Sequence, residues 1–114
     1  MTTAGVPEVG PTEARALLDA GATLLDVREA DEWQAGHAPG AHFIPLGELA
    51  ARAAELTTDT RVVAICRSGG RSERATRFLR SHGYDVVNLT GGMRAWDGAG
   101  LDVVTDDGGR GAVI

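Results

Sequence analysis

Cys66 is the only cysteine in this chain, and its surroundings are those of a reactive thiol. It closes the apolar run Arg61-Val-Val-Ala-Ile-Cys66 and is followed by Arg67-Ser-Gly-Gly-Arg71-Ser72. A cysteine works as its thiolate, and a thiol placed where a strand turns into a helix sits at the positive end of that helix, which favours the charged form. Gly69 and Gly70 supply the backbone freedom for consecutive N–H groups to turn inward and form an anion-binding nest. Arg67 and Arg71 add guanidinium groups suited to sulfonate-like oxygens. Such a constellation supports attack by sulfur on an anionic sulfur or phosphorus compound. Its substrate cradle would be the loop of Arg67, Ser68, Gly69, Gly70, Arg71 and Ser72. A lone cysteine after an apolar strand is otherwise a small buried hydrophobe, but that reading leaves the Gly-Gly loop, the two arginines and the helix start unexplained.

The elements that must hold this loop follow from the hydrophobic pattern. Arg61 to Ile65 reads as a central strand by its β-branched content, and Ser72 to His82 as the helix after it, with Ala75, Phe78 and Leu79 inward and Gly83 as its cap. Upstream, Pro11 opens a helix that Gly21 stops. Thr23 to Val27 is a buried strand, Glu29 to Ala35 a short helix, and Gly36 to Gly40 a loop. Ala41 to Ile44 forms a further strand, and Gly47 to Leu56 an Ala-rich helix. Downstream, Val86 to Leu89 is a strand, and Gly91-Gly92 turns the chain into a last helix through Trp96. Strands alternating with helices predict an α/β domain with a parallel sheet covered on both faces, whose ligand site lies at the carboxyl ends of the strands. Cys66 and the Asp26-Val27-Arg28 turn both fall at such ends. Asp26 and Arg28 are read as an ion pair bracing the neighbourhood of the site.

With 43% hydrophobic and 24% charged residues, the 114-residue chain has the composition of one globular domain. A flexible start (1–5), a domain over 6–104 and a mobile tail over 105–114 are expected. The net charge of −5 argues against nucleic acid as a partner. One cysteine excludes an internal disulfide and fits a reducing compartment. His37, His42 and His82 stand apart without ligand-spaced partners, so neither a metal nor any other cofactor is expected. His37 is read as a turn residue, and Trp33 and Trp96 as packing. No charged-then-apolar leader and no long apolar stretch is visible, so the expectation is a soluble cytoplasmic protein without a membrane partner.

Three segments in order resemble the rhodanese family of thiosulfate sulfurtransferases. They are Asp26-Val-Arg-Glu-Ala-Asp-Glu-Trp33-Gln-Ala-Gly36-His37-Ala-Pro-Gly40-Ala41, then Cys66-Arg-Ser-Gly-Gly-Arg71-Ser72, then Gly91-Gly92-Met-Arg-Ala-Trp96 with Gly100-Leu-Asp-Val103. Ala38 departs from the isoleucine, and Asp102 from the proline, common in the family. The resemblance implies a rhodanese-like fold with a central, mostly parallel, five-stranded sheet and helices on both faces. It implies sulfur transfer from thiosulfate or a similar small-molecule donor through a Cys66 persulfide to a thiophilic acceptor: cyanide in the test tube, a thiol in the cell, carried by a thioredoxin-like or other sulfur-accepting protein. Cysteine phosphatases use a similar cradle one residue longer; the four residues between Cys66 and Arg71 suit sulfur better than a phosphoryl group. A persulfide-carrying or regulatory module, and phosphatase or arsenate chemistry, remain as alternatives.

Overall fold

The computed structural model describes residues 5–114. Of the start expected to be flexible, residues 1–4 lie outside the described residues, and Gly5 is exposed. The elements run β1 (Glu8–Val9), α1 (Pro11–Asp19), β2 (Thr23–Asp26), α2 (Ala30–Ala35), β3 (His42–Phe43), α3 (Leu49–Arg52), β4 (Val62–Ile65), α4 (Gly70–Ser81), β5 (Val86–Leu89) and α5 (Gly92–Gly98). The sheet order is β1-β5-β4-β2-β3 and every pairing is parallel. β4 is therefore central, and the residue after it, Cys66, emerges at the carboxyl edge of the sheet.

Strand alternation splits the core in two. Leu24, Val63, Ile65, Val87 and Leu89 face one side, where Ala14 of α1 and Met93 and Trp96 of α5 cover them. Leu25, Val62, Ala64, Cys66 and Val86 face the other, beneath Leu49 of α3 and Ala75 and Leu79 of α4. Both faces are thus buried, as an all-parallel sheet requires.

Four strands fall where the apolar runs place them. The fifth, β1, is a two-residue edge strand, too short to show a period. α4 begins at Gly70, two residues earlier than the periodicity suggests, because its cap is the glycine Gly69. The helix expected over 47–56 is broken into a 3₁₀ turn (Leu46–Glu48), α3 and a second 3₁₀ turn (Ala53–Glu55). This alanine-rich stretch has helix propensity, but within α3 only Leu49 is buried, and propensity alone does not sustain a short helix.

Residues 105–114, expected as a mobile tail, fold back on the domain instead. Val104 bridges antiparallel to both His37 and Arg110. The Gly111 N–H donates to Val103 O, the Ala112 N–H donates to Ala35 O, and Val113 packs on the core. The Asp- and Gly-rich composition reads as solvated chain, and what it hides is the apolar anchor after it.

Among the described residues no helix is long and apolar enough to cross a membrane.

Candidate active site

Cys66 leaves the sheet one residue beyond β4, and the chain reaches the first turn of α4 by Gly70. The thiol is buried, with the residue only 1% exposed. The Gly69 N–H donates to Sγ at 3.1 Å and the Ser72 hydroxyl lies 3.3 Å from it. Burial pushes the thiol pKa up. The Ser72 hydroxyl and the N–H groups of Ser72, Gly69 and Ser68 pull it down by more, so the net shift is below the ordinary value. The amino end of a twelve-residue helix adds its dipole to these donors. Every one of them stabilises negative charge on the Cys66 sulfur.

The loop is held from behind by α5. The Met93 N–H donates to Cys66 O at 2.7 Å and the Arg94 N–H to Arg67 O at 3.1 Å. In a planar trans peptide the N–H points opposite to the carbonyl. Anchoring these two carbonyls therefore turns the N–H groups of Arg67 and Ser68 to the other side of the loop. Two glycines permit this approach. Gly69 has φ +117°, and Gly92 has φ +59° with its Cα so close that a Cβ there would lie 2.3 Å from Cys66 O.

The two loop arginines have different situations. Both terminal nitrogens of Arg71 pair with Glu32, at 2.7 and 2.8 Å, in the fork geometry of a bidentate pair. Arg71 thus offers the site its charge while one N–H of each terminal nitrogen is committed to Glu32 of α2. Arg67 donates through Nε to Ile114 O at 2.9 Å, so the folded-back tail reaches the loop. Ser68 and Gly70 are exposed at the mouth.

Asp26 and Arg28 are fully buried and pair with each other at 2.8 Å, and the Arg28 Nη2 also donates to Gly36 O at 2.8 Å. This ties the end of β2 to the end of α2 and so fixes the segment that carries Glu32. His37 stacks flat on Trp33, with ring centroids 3.6 Å apart, and its Nδ1 lies 2.9 Å from Trp33 O. It is part of the same brace rather than of the loop. Trp96 is buried and donates to Asp102 O. Among the described residues no group of three or more His, Cys, Asp or Glu side chains is arranged to hold a metal ion.

Glu32 is the site neighbour that reading the sequence misses. Its only local signal is the Glu29-x-x-Glu32 spacing, a capping box in which Glu32 closes back on the Glu29 N–H. The Arg71 guanidinium holds its carboxyl down at about 2, against an ordinary value of 4.5. A carboxylate with a depressed pKa stabilises the fold above its ordinary pKa and loses that contribution as pH falls towards the depressed value. The stability gap between the native chain and Glu32→Gln, measured by urea unfolding, should therefore be constant near neutrality and close as pH falls from 4.5 towards 2. A gap unchanged from about pH 6 to about pH 3 would contradict the pair's contribution.

The family model for the rhodanese-like domain matches residues 10–99. An HTH-type transcriptional regulator of Mycobacterium tuberculosis is 47% identical over 104 residues, which cover 87% of this chain and 46% of the regulator. A thiosulfate sulfurtransferase of Pseudomonas fluorescens is 36% identical over 91 residues, covering 77% of this chain and 82% of that protein. Among solved structures, a rhodanese-related protein from Thermoplasma volcanium superposes with a TM-score of 0.83 at 31% identity, over 88% of this chain and 99% of the other. The chain spans about half the length of two of the curated relatives it matches, 52% of one and 46% of the other.

Proposed function

We propose that this chain, which belongs to the rhodanese-like domain family, is a sulfurtransferase that carries sulfane sulfur as a persulfide on Cys66. The observation behind this reading is the convergence of the Gly69 N–H and the Ser72 hydroxyl on one buried sulfur, at 3.1 and 3.3 Å. In the first half-reaction the Cys66 thiolate attacks the outer sulfur of thiosulfate. A new S–S bond forms, the old one breaks, and its electron pair leaves with sulfite. The terminal sulfur of the persulfide then takes the negative charge, and the N–H groups of the loop are the donors for it. In the second half-reaction a thiophilic acceptor attacks that terminal sulfur, and the electron pair returns to Cys66. Cyanide leaves as thiocyanate; a thiol leaves as its persulfide. With a single cysteine in these 114 residues, the acceptor lies outside them, as a small thiol or a sulfur-accepting protein group in a reducing compartment such as the cytoplasm.

Among the described residues Arg67 makes no ion pair with an Asp or Glu side chain, unlike Arg71, and it is assigned to the donor's anionic oxygens. Arg67→Ala should raise KM for thiosulfate about tenfold, the weight of one charged hydrogen bond, and leave kcat close to native. Steady-state thiocyanate formation checks this, and an unchanged KM would remove Arg67 from donor binding.

A regulatory or carrier role is the second reading, favoured by the match to part of a transcriptional regulator. The two separate kinetically. An enzyme turns over repeatedly with cyanide or a small thiol. A carrier loads once and waits for its protein partner. Hydrolysis of an aryl phosphate that disappears in Cys66→Ser would instead support phosphoryl chemistry.

A further inference from the structure

Asn88 is a polar residue inside β5, a strand buried at all four positions, and is itself only 1% exposed. It lies in register with Ala64 of β4 on one side and Glu8 of β1 on the other. Alternation points it to the α4 face, towards the loop. Its Nδ2 donates to Gly69 O and to Glu8 Oε2, each at 3.2 Å. Oδ1 is buried without a partner among the described residues. A carbonyl and a carboxylate are both acceptors, so the amide must present its nitrogen to them; the flipped amide would set oxygen against oxygen. Burying an amide with one end unsatisfied is unfavourable where Val or Leu would fit the strand. The contact on Gly69 O is the feature that distinguishes Asn88 from such a residue.

Gly69 O matters because a second donor lies within reach. The Ser72 hydroxyl is 3.2 Å from Gly69 O and 3.3 Å from Cys66 Sγ, and it has one proton to give. Gly69 O also accepts the Glu73 N–H at 3.0 Å, so with the Asn88 amide both of its lone pairs are taken and it competes weakly for that proton; with one lone pair free it would compete strongly. We propose that Asn88 is a positioning residue for the thiol: by occupying Gly69 O it leaves the Ser72 hydroxyl proton to Cys66 Sγ. The same bond fixes the Gly69–Gly70 peptide, whose N–H points away from Asn88. Glu8 takes the second amide proton and so selects the working orientation of the side chain. The proposal rests on Cys66 being the working thiol, but on no particular sulfur donor.

The test is the pH dependence of Cys66 alkylation by iodoacetamide, a neutral reagent that reads the thiolate fraction. Asn88→Ala and Asn88→Leu, which keeps the branched four-atom side chain, should both move the midpoint to higher pH and lower the neutral-pH alkylation rate about fivefold, the scale of one hydrogen bond. Ser72→Ala should do the same. In the Ser72→Ala background, adding either Asn88 substitution should have no further effect, because Asn88 acts through the hydroxyl. Thermal melting confirms that each variant is folded, and Asn88→Leu carries the test if Asn88→Ala does not fold. A native midpoint in the folded Asn88 variants overturns the proposal. So does an Asn88 effect of undiminished size in the Ser72→Ala background, which would make Asn88 a general brace of the loop. No sulfur donor is present in this titration. A chain that shows the expected shifts yet accepts no sulfur would keep this role for Asn88 and refute the sulfurtransferase reading.

Discussion

Cys66→Ser is expected to lower thiosulfate-to-cyanide turnover by more than about a thousandfold, since a covalent route without its nucleophile loses at least that much. The serine hydroxyl would sit among the same donors, but its proton is held many pH units above that of a thiol, and the loop cannot make up the difference. Even as an alkoxide, oxygen attacking the outer sulfur of thiosulfate would form an S–O bond in place of a persulfide. The substitution replaces sulfur by a smaller atom at a buried position, so the fold should survive with at most a modest loss of stability. Thiocyanate formation and a thermal melt on the same preparation separate the two effects. Turnover within tenfold of native in a folded Cys66→Ser protein would remove the cysteine from the chemistry.

Gly92→Ala is expected to be the most damaging single methyl in the molecule. The backbone at Gly92 has φ +59°, a conformation that costs a residue with a side chain about 1–2 kcal/mol. The added Cβ would also lie 2.3 Å from Cys66 O, 2.6 Å from Arg67 C and 2.7 Å from Arg67 O, all of them backbone atoms that cannot swing aside. The loop must lift off the amino end of α5, and the 2.7 Å bond from the Met93 N–H to Cys66 O goes with it. Together these amount to about 3 kcal/mol or more, enough to lower Tm by over roughly 10 °C in a domain of this size. Because the atoms displaced are those that aim the loop, sulfur loading of the protein that remains folded should fall more steeply than stability. Native Tm and native loading in Gly92→Ala would mean that the contact between α5 and the loop is not what aims the N–H groups.

The cysteine loop and most of the sheet are legible in the sequence because both are written locally. β2, β4 and β5 are short apolar runs between turn residues, and Cys66 to Ser72 is one continuous motif. What escapes the sequence is non-local. Glu32 meets Arg71 across 39 positions, and Asn88 meets Gly69 across 19. Asn88 does leave a trace, a polar residue in a strand of Val and Leu, and buried polar groups have partners. Gly91-Gly92 reads as a turn, but only the packed structure puts Gly92 against the carbonyl of Cys66. The tail misleads because its charged, glycine-rich turn precedes the few apolar residues that dock it, with Val113 against the core and the main-chain oxygen of Ile114 on Arg67. The loop arginines look equivalent in sequence; their different partners set them apart.

Incubating the reduced protein with thiosulfate, removing the excess and weighing the intact chain tests the persulfide itself. Cys66, which accepts from the Gly69 N–H and the Ser72 hydroxyl, should gain the mass of one sulfur atom, lose it on addition of cyanide, and show no gain in Cys66→Ser. An unchanged mass in the native chain, or the same gain in Cys66→Ser, would contradict sulfur transfer through Cys66.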